Sequence, residues 1–252
     1  MNSSKNDKER QHFDDLAKEI GESWWGIKTP AGQKRFQRRA SIIADYVKSL
    51  NAAKILEIGC GTGPLTKHIL DHSCFSELIC CDISPYSIEI ASKQASKQAR
   101  PSQSQQVSFL IADVEDLPFP SEKFDVIVGN SILHHVNVDV VLKECYRLLK
   151  PEGIIVFFEP NMLNPQIAIE KNVKWIGRML QNTSDETAFT RWGMEKILRT
   201  AEFKNIDVQP YDFLHPGTPE KLIPLMERLT FALEKIWFLK EIAGSLKIYA
   251  CK

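Results

Sequence analysis

Four polar residues in the first two thirds of the chain stand at or near the ends of short apolar runs, where a ligand can reach them. Glu57 lies in Ile55-Leu56-Glu57-Ile58, Asp82 follows Leu78-Ile79-Cys80-Cys81, Asp113 follows the run over 107–112, and Asn130 follows the run over 124–129. Carboxylates and amide oxygens accept hydrogen bonds from hydroxyls and amines and sit well beside a cation. The set therefore suits a ligand with a cationic or polar end that approaches the backbone closely. After the first run comes Gly59-Cys60-Gly61-Thr62-Gly63, a turn whose glycines let a ligand approach the backbone N–H groups closely. It is not the dinucleotide fingerprint GxGxxG, because Pro64 stands where the third glycine belongs, and no Lys-Ser or Lys-Thr follows to make a phosphate loop. Within the turn, Cys60 reads as a small filler rather than a nucleophile, since only the helix start nearby would lower its pKa. Farther along, His134 and His135 are placed to take a proton near neutral pH, with His135 preferred; Glu159 and then His215 follow as candidates.

The elements that position these residues alternate. Strands are expected near 54–58, 77–82, 107–112, 124–129 and 153–158, with helices near 63–71, 84–98 and 138–149 between them. Lys150-Pro151-Glu152-Gly153 reads as a helix stop and turn before the fifth strand. This βαβ alternation implies a parallel sheet with helices on both faces and ligands at the carboxyl edge of the strands. A helix over 189–201 and strands over 204–211 and 245–251 complete the set, and helices are expected over 12–21 and 31–50. Taken singly, Asp82 could cap the helix opening near Ser84-Pro85 and Asp113 could start a turn; four such residues at successive strand ends favour a binding site.

With these residues in view, the chain resembles the class I S-adenosylmethionine-dependent methyltransferases, in their small-molecule, quinone-type group (methyltransferase type 11). ILEIGCGTG, CDIS and IADVEDLPFPSEKFDVIVGNSILHHV carry the resemblance, over roughly residues 54–160. It implies a Rossmann-like, seven-stranded, mostly parallel sheet with the last strand antiparallel, and S-adenosylmethionine as cofactor. The backbone at Gly59, Cys60, Gly61 and Gly63 would approach the methionine moiety, with Glu57 beneath the turn. Asp82 would take the ribose hydroxyls and Ile83 one face of the adenine. Asp113, beside Val114, would accept from the adenine amine, and Asn130 would sit near the sulfonium. An LHHV-like pair recurs in this superfamily, so His134 and His135 could instead only shape the pocket.

The expected organisation is an N-terminal helical lid over 1–50 and a core over 51–252, with substrate-side insertions at about 160–188 and 213–243. In the second insertion Leu222, Leu225, Met226, Leu229, Leu233, Ile236 and Trp237 form a stripe at helical spacing. The favoured reading is a helix packed on the sheet. The sharper one is a roof over an apolar acceptor, or contact with a membrane surface or a second subunit. In the N-terminal segment, Lys34, Arg35, Arg38 and Arg39 read first as a solvated basic ridge and second as a lid reaching an acceptor anion. Trp24-Trp25 resembles the aromatic lid of quinone-type methyltransferases, and core packing explains the pair equally well.

Composition bounds the rest. The chain has 252 residues, an apolar fraction of 43% and zero formal net charge, which counts against a duplex DNA partner. Six cysteines without CxxC pairing suit reduced thiols, and the start of the chain has no apolar signal segment, so a cytoplasmic location is expected. No uncharged apolar run of ~18 residues is present to span a membrane. No HExxH or catechol-type carboxylate cluster suggests a metal. The expected activity is methyl transfer to oxygen or carbon of a small, apolar or lipid-like molecule. An RNA-directed methyltransferase and a catalytically silent cofactor-binding subunit are the alternatives; the oligomeric state is left open.

Overall fold

The computed structural model describes residues 11, 14–15, 26–50, 52–72, 75–98, 105–172 and 188–252. Most of the expected helix over 12–21, the Trp24-Trp25 pair and positions 173–187 of the first insertion lie outside them. In chain order the elements are α1 (Pro30–Val47), β1 (Ala53–Ile58), α2 (Pro64–His72), β2 (Phe75–Asp82), α3 (Pro85–Lys97), β3 (Gln106–Ile111), β4 (Phe124–Asn130), α4 (Val138–Leu148) and β5 (Leu149–Pro160). There follow α5 (Pro165–Asn172), α6 (Arg191–Thr200), β6 (Lys204–Tyr211), a 3-10 turn at Glu220–Leu222, α7 (Ile223–Leu233), α8 (Trp237–Lys240) and β7 (Ser245–Cys251).

The seven strands form one sheet in the order β3-β2-β1-β4-β5-β7-β6. Strands β1 to β5 pair in parallel, and β7 runs antiparallel to both β5 and β6. Central strands covered on both faces carry continuous apolar runs, as β2 does over 78–81 and β4 over 126–128, while β1 is buried from Ile55 to Ile58 with Glu57 its one charged interior residue. One face packs Leu56, Ile58, Ile127 and Phe157 against α4 and α6 through Val141, Leu142, Met194 and Leu198. The other packs Ile55, Val128 and Phe158 against α1, α2 and α3 through Phe36, Ala40, Ile43, Leu65, Ile69 and Ile88.

Helix starts follow local chemistry. Thr29 and Ser84 accept from the N–H groups of Gly32 and Ser87 at 3.0 Å each, and a proline follows each cap. Such a cap contributes about 1 kcal/mol, and proline's missing N–H costs nothing at that position. The expected turn at 150–153 persists as a register jump within β5. Phe124 pairs with Leu149 and Val126 with Ile154, while Glu152 turns with φ 62°.

Two expectations change here. Within the 1–50 segment, α1 is a layer of the core rather than a lid. Ala40, Ile43 and Val47 are fully buried, and burying one such isoleucine contributes roughly 1.5–3 kcal/mol. The stripe over 222–237 is not one helix packed on the sheet. It breaks at 234–236, and α7 buries Ile223 and Thr230 instead. Leu225 is 56% exposed and Trp237 76% exposed.

Candidate functional site

Strand order reverses between β1 and β4, so the connections leaving their carboxyl ends part and open a crevice. The glycine turn lies on one side of it. Gly59 adopts φ 65°, and a Cβ there would come within 2.7 Å of the Ile132 side chain, so glycine is required by both conformation and space. Gly61 adopts φ 52°, and a Cβ on it would meet nothing within 4 Å. That open flank is where a ligand can rest against backbone. The Gly61 N–H donates to Asp82 Oδ2 at 2.8 Å, and the Ser84 N–H donates to Oδ1 at 2.9 Å. Asp82 is therefore not the helix cap, which is Ser84. With one N–H on each oxygen, the carboxylate keeps lone pairs for further donors. Burial pushes its carboxyl upward, as does the charge of Asp14, against the pull of the two N–H bonds. Asp14 also accepts from the Ser84 hydroxyl, which brings the N-terminal segment to this corner.

Glu57 lies under the turn, 2% exposed, and accepts from Thr66 Oγ1 at 2.7 Å and Cys80 Sγ at 3.5 Å. Burial raises its carboxyl to about 7. Cys60 is buried and its thiol is pushed well up by burial, as expected of a filler. At the next strand end Asp113 Oδ1 accepts from the Glu115 N–H at 2.9 Å, and Val114 beside it is 6% exposed. The Ala112 N–H donates to the Asp82 carbonyl at 3.0 Å, which ties the two strand ends together with half-buried Ile83 between them.

Across the crevice Ser131 adopts φ 54°, a left-handed turn that swings the next two N–H groups onto one carboxylate. Glu159 Oε1 accepts from Ile132 at 2.9 Å and Leu133 at 2.8 Å, and Oε2 lies 2.7 Å from His134 Nδ1. Glu159 is 1% exposed, and these contacts direct it at the turn and at His134 rather than at the crevice. The His134 and His135 rings stand 4.0 Å apart, and His135 is the more exposed of the two. His215, the most distant candidate, is exposed and lies 3.2 Å from Gln166 Nε2.

Comparison with known proteins accords with this geometry. Residues 56–157, the span holding the turn and the strand ends Asp82, Asp113 and Asn130, match the family described as a methyltransferase domain. A solved S-adenosylmethionine-dependent methyltransferase from Thermotoga maritima covers 96% of this chain and 99% of its own, with a TM-score of 0.62 and 21% identity, a likeness of fold. Residues 56–157 are thus a methyltransferase domain of the class I S-adenosylmethionine-dependent type. Among curated relatives of this chain, a sterol 24-C-methyltransferase from Aspergillus fumigatus is 25% identical over 90% of the chain and 64% of the relative. A ubiquinone biosynthesis O-methyltransferase from Coxiella burnetii is 28% identical over 57% of the chain and 60% of the relative. The chain thus spans less than two thirds of either.

The other half of the sheet's carboxyl edge holds side chains that sequence reasoning assigned elsewhere. Of the expected solvated ridge on α1, Lys34 is exposed, but the three arginines are engaged within the structure. Arg35 Nε donates to Asp212 Oδ2 at 2.9 Å, and Arg38 donates to both oxygens of Glu234 at 2.8 and 2.6 Å. Arg39, 5% exposed, donates to Tyr211 Oη at 3.1 Å, Asn130 Oδ1 at 2.5 Å and Ser245 Oγ at 3.3 Å. The network gives Asn130 a cationic neighbour, and it removes most of the basic face that an RNA partner would need. The only sequence signal for it was the i, i+4 arginine spacing; the partners lie more than 90 residues away. Asn161, fully buried, was also not foreseen. Its Nδ2 donates to the carbonyls of Glu241 and Ala243 at 2.8 Å each, pinning the α8–β7 connection to the end of β5.

Proposed function

We propose that this chain transfers a methyl group from S-adenosylmethionine to oxygen or carbon of a small, apolar or lipid-like molecule. The observation that carries the reading is the open flank of Gly61, hydrogen-bonded to Asp82 at the β1/β4 switch point. The cofactor, when bound, supplies an electrophilic methyl group on a sulfonium. Around it Asp82 holds the ribose hydroxyls, Asp113 the adenine amine, and Ile83 and Val114 flank the ring. The backbone of Gly59, Cys60, Gly61 and Gly63 lines the methionine end. Glu57 supports the turn from below, and Asn130 stands across from it. In-line displacement needs alignment and exclusion of water more than covalent help. His135 is the residue to take an acceptor proton. His134, oriented by Glu159, shapes the wall beside it.

The apolar acceptor draws support from the outward face of α7 and α8, where Leu225, Leu229, Phe231, Trp237 and Phe238 are exposed. The same face favours a second, compatible reading, peripheral contact with a membrane, since exposed Arg228 and Lys235 accompany the aromatic side chains. Among the described residues no helix is long and apolar enough to cross a membrane.

Calorimetric titration with S-adenosylmethionine and S-adenosylhomocysteine, with nicotinamide dinucleotide as control, tests the cofactor reading. Micromolar affinity for the sulfur ligands alone is the expected result. Binding of the dinucleotide alone overturns it. Methyl transfer to quinols, phenols or sterols then tests the acceptor class, and cofactor binding without product from any of them would instead support a silent cofactor-binding subunit.

A further inference from the structure

Protein surfaces usually scatter their exposed apolar side chains singly, and this one gathers them. Among the described residues twelve large apolar side chains are exposed, and eight of them fall between 222 and 242. Such a concentration marks a surface that meets something other than water. Helix α7 buries Ile223 and Thr230. On its outward side Leu225 and Leu229 are exposed one turn apart, and Arg228, three residues after the first, is exposed with them. Beyond the break at 234–236, Trp237 and Phe238 are also exposed, with ring centroids 5.7 Å apart.

The charges of the same stretch sort by direction. Residues 220–242 hold four acidic and four basic side chains, which cancel in the sequence. Two of the acids are engaged by arginines of other elements: Glu234 pairs with Arg38 of α1 at 2.6 Å, and Glu241 with Arg191 of α6 at 3.0 Å. Lys221, Arg228 and Lys235 are exposed. The stretch therefore turns carboxylates inward and presents an excess of its own positive charge outward, beside the apolar side chains.

Topology places this face. The connection from the end of β6 to the start of β7 contains α7 and α8, and β7 runs antiparallel to both β5 and β6, so the two helices lie at the carboxyl edge of the sheet. The Phe231 ring is 4.8 Å from the Arg38 guanidinium carbon, and the next residue, Arg39, donates to Asn130 at the end of β4. Aromatic and aliphatic side chains among exposed cations suit the boundary of a bilayer, where rings enter the acyl layer and cations meet phosphate. A second copy of the chain suits it less, because a two-fold contact sets the same cations against one another.

We propose that α7 and α8 dock this chain on a bilayer of anionic phospholipid, with the carboxyl edge of the sheet turned to the lipid. The inference deepens the membrane reading given above by a lipid class and an orientation. An acceptor dissolved in the bilayer then reaches the crevice without crossing water, and this consequence alone rests on the methyl-transfer reading.

Cosedimentation of the full chain with vesicles, without cofactor, tests the docking. Phosphatidylcholine vesicles containing phosphatidylglycerol should bind about tenfold more tightly than phosphatidylcholine alone, and the difference should shrink as salt rises. Arg228→Gln with Lys235→Gln should remove most of that roughly tenfold preference at unchanged Tm and unchanged affinity for S-adenosylhomocysteine. Trp237→Ala with Phe238→Ala should weaken binding to both kinds of vesicle. Acyl-brominated lipid should quench the tryptophan fluorescence of the wild type more than that of Trp237→Phe, and equal quenching overturns the orientation. The salt series on the wild type reads the charge without any substitution. No binding to anionic vesicles, equal binding to both compositions, or variants that bind as the wild type does overturn the proposal. A dimer in sedimentation equilibrium that Trp237→Ala with Phe238→Ala dissociates gives the face to a second copy and overturns it too. If the wild type fails to bind S-adenosylhomocysteine, the cofactor reading fails and the vesicle result stands on its own.

Discussion

The two halves of the carboxyl edge are built from opposite materials. On the β1–β2–β3 side, polar residues follow their own strands and bond to backbone a few residues away or one loop across: Asp82 to Ser84 and Gly61, Asp113 to Glu115. On the β5–β7–β6 side, the edge is held by side chains far apart in sequence. Arg35 reaches Asp212 across 177 positions and Arg38 reaches Glu234 across 196. The first half presents acceptors with capacity to spare, as a neutral or cationic ligand requires. The second is dominated by guanidinium groups and ends outward in an apolar face. The proposed nucleoside site lies on the first half and the proposed acceptor region beside the second.

The comparison can be broken most strongly at Asp212. Replacing it with alanine leaves Arg35 buried without its carboxylate and puts a Cβ residue without local side-chain bonds at φ 71°. A loss of about 3–5 kcal/mol in urea unfolding is expected, and a loss below about 1 kcal/mol would show that the second half is held by apolar packing instead.

Next in size, Asp82→Ala should weaken S-adenosylhomocysteine binding by about 2–4 kcal/mol in calorimetry, because charge-assisted bonds to the ribose and the order of the Gly61 turn are lost together. Unchanged affinity would remove Asp82 from the ligand site.

Glu57 sharpens the contrast through pH. Its folded pKa, about 7, lies above the usual value of 4.5, so the folded state holds a proton that the unfolded state releases between those values. Its contribution to stability is therefore greatest below about pH 4.5, falls as pH rises toward 7, and is level above; the span is about 3 kcal/mol. Glu57→Gln should flatten that part of the Tm-against-pH curve, and an unchanged slope would mean the decline comes from other groups.

The smallest effect on stability is expected at the apolar face. Trp237→Ala with Phe238→Ala should shift unfolding by no more than about 0.5 kcal/mol, yet reduce sedimentation with vesicles of anionic phospholipid. Vesicle binding equal to wild type would leave the face to the acceptor alone.

Where the sequence was legible, the cause was local. Apolar runs, Thr29-Pro30 and Ser84-Pro85 caps, and the glycines of 59–63 act over a few residues, and the succession of the first five strands along the chain follows from them, though not their order in the sheet. The expected antiparallel β7 came from the family resemblance and is present. The arginines of α1 could not be read in this way, because i, i+4 spacing states which residues share a helix face but not what that face meets. The stripe over 222–237 shows the same limit: its helical period was real, yet the helix breaks at 234–236, where Glu234 turns to Arg38 and to the Asp212 N–H.

By itself, then, the sequence determined the βαβ frame, the glycine turn and the acceptors at the strand ends, because short-range sterics and hydrogen bonding place them. Only the tertiary structure decided that α1 is core rather than lid, that Arg39 stands on Asn130, and that Glu159 faces His134. Those outcomes depend on which distant groups share one buried space, where an uncompensated charge or an unmatched donor costs far more than it does in water.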